Sequence, residues 1–116
     1  MKYIVAIIQP DRLDDVLDKL EQKEIHLVTV TSVVGRGRQK GIAEVYRSHK
    51  EVGSLLRKVK LEIAVNEEFV QPTIDAIVAG AHSGGEGKIG DGKIFVIDMN
   101  RCIRIRTGEE GSSAIG

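Results

Sequence analysis

Residues Gly84-Gly85-Glu86-Gly87-Lys88-Ile89-Gly90-Asp91-Gly92-Lys93 run directly into the apolar segment Ile94-Phe95-Val96-Ile97. From Gly87 onward the stretch follows most of the phosphate-binding pattern G-x-x-x-x-G-K, but Ile94 stands where that pattern needs Ser or Thr. In the full pattern the lysine opens a helix whose N-terminus meets phosphate. Here Lys93 opens a β-branched and aromatic run, which reads as a strand. A P-loop nucleotidase is therefore excluded. Two readings stay open: a glycine cradle whose N–H groups and lysine receive an anion, or a hairpin turn that is merely rich in glycine.

Working outward, the remaining chain reads as alternating strands and helices. Lys2–Ile8 is a short β-branched run, closed by Pro10. Asp11 then suits an N-cap, and Leu13, Val16, Leu17 and Leu20 make an apolar stripe, predicting a helix over 11–23. His26–Val34 is dense in Val and Thr and predicts a second strand. Lys58–Val65 alternates and predicts a third. Asn66 suits the cap of a second helix, with Glu67, Glu68 and Pro72 near its first turn and Val70, Ile74, Ile77 and Val78 as its stripe. After the glycine-rich loop come a strand over Lys93–Ile97 and a last one over Arg101–Arg106. Period-two alternation would set Arg104 and Arg106 of that last strand on one face. The order β-α-β, long loop, β-α-β predicts an α+β, ferredoxin-like fold, an antiparallel sheet with both helices on one face. Its uncovered face carries apolar residues and suggests an oligomer.

The bulk properties narrow the function. A chain of 116 residues is expected to form one domain with a modest core. Acidic and basic residues balance at 17 each, so no global field draws the chain to nucleic acid or an anionic membrane. Two Phe, two Tyr and no Trp argue against a stacking platform for single strands. Cys102 is the sole cysteine and reads as a small filler rather than a nucleophile; a lone cysteine fits a reducing cytoplasm. No apolar run reaches membrane-spanning length, and the N-terminal apolar run is too short for a signal peptide. A soluble cytoplasmic protein is expected.

Basic residues gather at strand ends and loops: Arg36, Arg38 and Lys40 among glycines in Gly35–Gly41, then Lys88 and Lys93, then Arg104 and Arg106. Arginine forks can grip a polyphosphate bidentately, and a glycine cradle beside them favours an ATP-like ligand over a simple anion. Each arginine taken singly reads as surface ion pairing. His26, His49 and His82 are scattered without metal-ligand spacing, and no carboxylate pair is marked out as acid and base. No seat for catalysis is visible.

Taken together, these blocks resemble the PII signal-transduction proteins of the GlnB/GlnK type over nearly the whole length. The carrying segments are Ala6–Pro10, Leu13–Val16, Gly35–Gly41, Glu44–Arg47, Lys58–Ile63, Lys88–Val96 and Ile103–Glu109. The resemblance implies a single PII domain over 1–116 and a homotrimer with nucleotide sites in the clefts between neighbours. The partner-engaging T-loop would span about 37–54, the phosphate-binding B-loop about 83–93 and the C-terminal loop about 104–116. ATP or ADP would be held by Gly90, Asp91, Gly92 and Lys93 with Arg104 and Arg106. Gly37 and Arg38 would help from across the cleft, Gly35 and Gln39 are further members of the nucleotide site, and Ile7, Thr29, Glu62 and Ala64 match the adenine and ribose part.

The same resemblance implies that 2-oxoglutarate binds through Mg2+ held by ATP and Gln39, with Lys40, Gly41 and Lys58 contributing. Tyr46 and Arg47 would contact a partner, an ammonium transporter of the Amt family or a nitrogen-metabolism enzyme. The membrane would be met only through that transporter, and nucleic acid not at all. The implied role is a non-enzymatic nitrogen, carbon and energy sensor. Alternatives are a sensor of adenylate charge or another metabolite without a 2-oxoglutarate response, and a weak ATPase. Two departures matter. Glu51 replaces the uridylylated tyrosine of some relatives and His49 the phosphorylated serine of others, so regulation by ligands alone is expected. Gly85-Glu86-Gly87 is extra in the phosphate loop and is expected to bulge outward.

Overall fold

A computed structural model describes residues 1–37 and 55–116. The expectations that fall on Arg38, Gln39, Lys40, Gly41, Tyr46, Arg47, His49 and Glu51 lie outside the described residues. Four strands, β1 (Lys2–Ile8), β2 (Thr29–Gly35), β3 (Leu56–Val65) and β4 (Gly92–Asp98), form one antiparallel sheet in the order β2-β3-β1-β4. Two helices, α1 (Leu13–Gln22) and α2 (Val70–Ala81), follow β1 and β3, and a short helix α3 (Ser112–Ile115) closes the chain. The ferredoxin-like α+β arrangement expected from the element order is the one observed.

Strand alternation divides the sheet. Ile4, Ala6 and Ile8 of β1 face Ile63, Leu61 and Val59 of β3, and all six are buried. They meet Val16 and Leu20 of α1 and Ala76 and Ile77 of α2 in one hydrophobic cluster. The opposite face carries Tyr3, Val5 and Ile7 beside Lys60, Glu62 and Ala64 on one flank and Lys93, Phe95 and Ile97 on the other.

α1 follows its predicted stripe, and a 3-10 turn over Pro10–Arg12 replaces the expected first turn. Proline at the opening of that turn has no N–H to leave unsatisfied. The helix ends in a Schellman motif: Ile25 N–H donates to the Leu20 carbonyl at 3.0 Å and Glu24 N–H to that of Glu21 at 2.9 Å. Glu24 takes the left-handed position with φ 62°, and the following Ile25 is buried.

Three local expectations are corrected. Asn66 makes no side-chain cap; its amide Nδ2 donates to the Ser112 carbonyl at 3.1 Å instead. The buried face of α2 is Thr73, Ala76, Ile77, Gly80 and Ala81, whereas Val78 is half exposed. Small residues serve there because the helices approach closely. A Cβ on Gly80 would stand 2.6 Å from Val16 Cα, so only glycine fits without displacing α1. Finally, Arg101–Arg106 is not a strand. The chain reverses there, with Arg104 N–H donating to the Glu109 carbonyl at 2.8 Å, Gly108 N–H to that of Arg104 at 2.7 Å and Gly111 N–H to that of Cys102 at 2.9 Å. Only Ile103 and Glu110 form a β-bridge, so the alternation that would align Arg104 with Arg106 is lost. Charge pairs hold the two arms: Arg101 grips Glu110 bidentately at 2.6 and 3.1 Å, and Arg104 meets Glu109 at 2.6 Å.

Candidate functional site

The sheet's open face ends in two clefts. The larger, about 680 Å³, lies where the C-terminal ends of β1 and β2 meet the N-terminal ends of β3 and β4. Ile7, Gly35, Gly37, Lys58, Gly90, Gly92 and Lys93, all expected to bind ligand, line it together with Arg36, Ile89 and Phe95. The second, about 500 Å³, gathers Thr29, Glu62 and Ala64 with Tyr3, Cys102 and residues of α3. The residues expected at one nucleotide site thus fall on two surfaces of a single chain. Among strand residues the separation is longitudinal: Thr29 pairs with Glu62 at one end of the β2–β3 ladder, and Gly35 with Leu56 at the other.

The glycine-rich loop is organised by its own side chains. Asp91 Oδ2 accepts from Ser83 N–H and Oγ, each at 3.1 Å, and from Lys88 N–H at 3.2 Å. Gly87 N–H donates to the Gly84 carbonyl at 2.8 Å, folding the extra residues into a tight turn in which Gly84, Gly85 and Glu86 are exposed. Gln9, at the end of β1, donates its amide to the Gly90 carbonyl at 2.7 Å. Arg12 holds the exit of α2 through the Gly80 and His82 carbonyls at 3.1 and 3.0 Å. Where the loop enters β4, Gly92 has φ +124° and a Cβ there would lie 2.0 Å from the Ile7 carbonyl oxygen. No other residue lets the loop come this close to β1.

Electrostatics follow from this packing. Burial alone would raise the Asp91 carboxyl, but the donors from Ser83 and Lys88 outweigh it and hold the group below its ordinary range. Lys58 is 9% exposed, and burial lowers its ammonium below the usual lysine value. A largely desolvated ammonium facing a cleft is a strong receptor for a carboxylate or phosphate. In the second cleft, the Tyr3 hydroxyl donates to Glu62 Oε2, and Lys60 Nζ stands 3.8 Å from Glu62 Oε1. That hydrogen bond, then burial, then the charge of Glu62 raise the phenol above its ordinary value.

Arg104 and Arg106 are not brought together. The Arg104 guanidinium donates to Glu109 and to the Ser113 and Gly116 carbonyls, both at 2.8 Å, while Arg106 lies exposed on the reversal. Asp91 has its carboxylate turned to the loop's own donors rather than to open space. Among the described residues no cluster of three His, Cys, Asp or Glu could hold a metal, and no helix is long and apolar enough to cross a membrane.

Sequence reading missed Tyr3 as a member of these surfaces and Gln9 as the residue that ties the end of β1 to the loop. The signal for Tyr3 was present, since it shares the period-two face of Ile7. The signal for Gln9 was not, because its partner is remote in sequence.

The arrangement can receive an elongated anion with a polar head. A family model described as nitrogen regulatory protein P-II matches residues 1–109. The chain is 51% identical over 115 residues to nitrogen regulatory protein GlnK1 of Methanosarcina mazei, covering 99% of this chain and 97% of that protein. It is likewise 51% identical to nitrogen regulatory protein P-II 1 of Escherichia coli, covering 99% of this chain and all of that one. Among solved structures, it is similar to Arabidopsis thaliana PII bound to citrate, with a TM-score of 0.77 at 35% identity, covering 98% of this chain and 88% of that one.

Proposed function

The chain belongs to the nitrogen regulatory P-II family, and on that premise we propose that it senses ATP or ADP together with 2-oxoglutarate. The observation that carries the proposal is the convergence of Ile7, Gly35, Gly37, Lys58, Gly90, Gly92 and Lys93 on one open cleft. Backbone N–H groups of the glycine loop and Lys93 suit the phosphates, and Lys58 suits a carboxylate. The second cleft, with Thr29, Glu62 and Ala64, suits the nucleoside of a ligand shared with a neighbouring subunit. Two half-sites on one chain are what a homotrimer with intersubunit sites requires. The apolar open-face residues Val5, Phe95 and Ile97 would be covered in it. Asp91 then acts mainly by shaping the loop, and Arg104 would meet the phosphates in competition with its bonds to Glu109, Ser113 and Gly116, whereas Arg106 is exposed.

On this reading the protein is a cytoplasmic regulator and not an enzyme. Its segment 37–54, with Tyr46 and Arg47, engages an ammonium transporter or a nitrogen-metabolism enzyme. Mg2+ would be held by ATP with Gln39, and Lys40 and Gly41 would help bind 2-oxoglutarate. A ligand biases such a segment only by binding its conformers unequally. Dicarboxylate docking beside Lys58, at the β2–β3 exit, does so where ADP alone does not. The citrate named with the plant relative favours a polycarboxylate at a basic cleft of this kind.

Calorimetric titration of ATP and Mg2+, with and without 2-oxoglutarate, tests the proposal. The expected result is 2-oxoglutarate binding only in the presence of Mg-ATP, abolished by Lys58→Ala. ATP binding with no 2-oxoglutarate response at any concentration would leave an adenylate sensor. Sustained multiple-turnover hydrolysis would instead favour a weak ATPase. Light scattering should give three times the chain mass.

A further inference from the structure

Among the described residues, Tyr3 and Glu62 form a polar pair that spans β1 and β3 within the second cleft. On the sheet's open face Tyr3 pairs directly with Ala64, so its ring lies diagonal to Glu62, which is opposite Val5. From there its hydroxyl reaches Glu62 Oε2, while Lys60 approaches Oε1 at 3.8 Å. An ionised carboxylate has about four lone-pair sites and donates nothing. With its orientation fixed from one side by a phenol, it presents its remaining sites as acceptors. The natural complement is a ligand bearing hydroxyl donors, above all a vicinal diol. Thr29, paired with Glu62 across β2–β3, and Cys102 complete the wall around it.

We infer that Tyr3 is a positioning residue for ligand recognition: by holding the Glu62 carboxylate in the cleft it sets the acceptor that receives the ribose hydroxyls of a bound nucleotide. The inference rests on the nucleotide reading of the proposed function. It adds a residue that touches no ligand itself and a specificity, ribose over deoxyribose, that follows from it. Replacing the phenol by a phenyl ring keeps the packing on β1 and removes only the donor. Glu62 is then free to swing towards Lys60.

The test is calorimetric titration of the intact protein, wild type and Tyr3→Phe, with ATP, 2′-deoxy-ATP and 2′,3′-dideoxy-ATP. Tyr3→Phe should weaken ATP roughly five- to tenfold, the worth of one oriented hydrogen bond, and leave dideoxy-ATP unchanged. Equal weakening of all three would mean a purely structural role and overturn the inference. No change for any of them would overturn it too, while the nucleotide reading stands. Failure of the wild type to bind ATP removes both, and protection of the Cys102 thiol from alkylation by ATP separates these cases. A second readout needs no Tyr3 variant. Of the chain's two tyrosines, one should ionise above the ordinary range by ultraviolet titration and return towards it in Glu62→Gln. Two ordinary phenols in the wild type would overturn the inference.

Discussion

The two faces of the sheet are built from the same strands and differ in nearly everything else. The covered face is apolar and closed at its centre, with Ile4, Ala6, Leu61 and Ile63 at most 1% exposed, while Val30, Val34 and Val96 on its edge strands stay 43%, 63% and 44% exposed. The open face sets Lys58, Lys60, Glu62 and Thr29 among half-buried apolar side chains, and Phe95 and Ile97 remain 48% and 49% exposed. One-residue alternation lets neighbours such as Leu61 and Glu62 carry unrelated duties. On the proposed reading, stability resides on one side of the backbone and recognition on the other, so mutations on the two sides should separate cleanly.

The largest separation is expected at that adjacent pair. Leu61→Ala should cost about 2–5 kcal/mol in chemical denaturation, through lost burial and a residual cavity. Glu62→Gln should stay within about 1 kcal/mol while sharply reducing nucleotide binding. If the two losses are alike, the division of labour is wrong. The covered side has a second sensitive point where α1 meets α2. Gly80→Ala forces a Cβ against the Val16 backbone and should lower stability by about 1–3 kcal/mol in thermal unfolding, with ligand affinity per folded molecule unchanged.

A smaller effect is expected on the loop that rims the open side. Asp91→Ala should cost about 1 kcal/mol and raise amide exchange over Ser83–Lys88, because both N–H donors lose their acceptor. Its folded carboxyl lies below the ordinary value, so its stabilisation is fully present above about pH 4 and is lost as pH falls through the lowered value. Acid titration of the loop's protection factors, with the intrinsic pH dependence of exchange divided out, should follow that course in wild type and be flat in the variant. The smallest change should be a gain. Glu24→Gly relieves a left-handed residue at the end of α1 and should add a few tenths of a kcal/mol, up to about 1, in thermal melts.

How far the molecule was legible varies with the range of the interactions concerned. α1 was readable because its stripe of Leu13, Val16, Leu17 and Leu20 is local and strongly apolar. The face of α2 was misread because Thr73, Ala76, Gly80 and Ala81 are buried for their small size, which hydropathy does not reward. The segment Arg101–Arg106 has the alternation of a strand, yet a strand exists only with a partner, and this segment finds little beyond a single bridge to Glu110. Asn66 has the chemistry of a cap, but a carbonyl 46 residues away takes its amide. For the site, glycines and clustered basic residues raised an anion cradle by composition alone but left a glycine-rich turn open beside it. Naming individual positions such as Ile7, Thr29 and Glu62 required the family resemblance. The grouping of those positions into two clefts depends on strand register, which composition and spacing do not specify.

Among the described residues, Gly35 and Leu56 are the last paired positions of the β2–β3 ladder and face each other across one rung. The two strand ends stand opposite each other like the pins of a socket, fixed by the sheet and not by the sequence that joins them. Doubling the length of such a segment adds only about 0.6 kcal/mol of closure entropy. Changing the length of the sequence between Gly37 and Leu55 should therefore leave the core and the paired strand ends as they are.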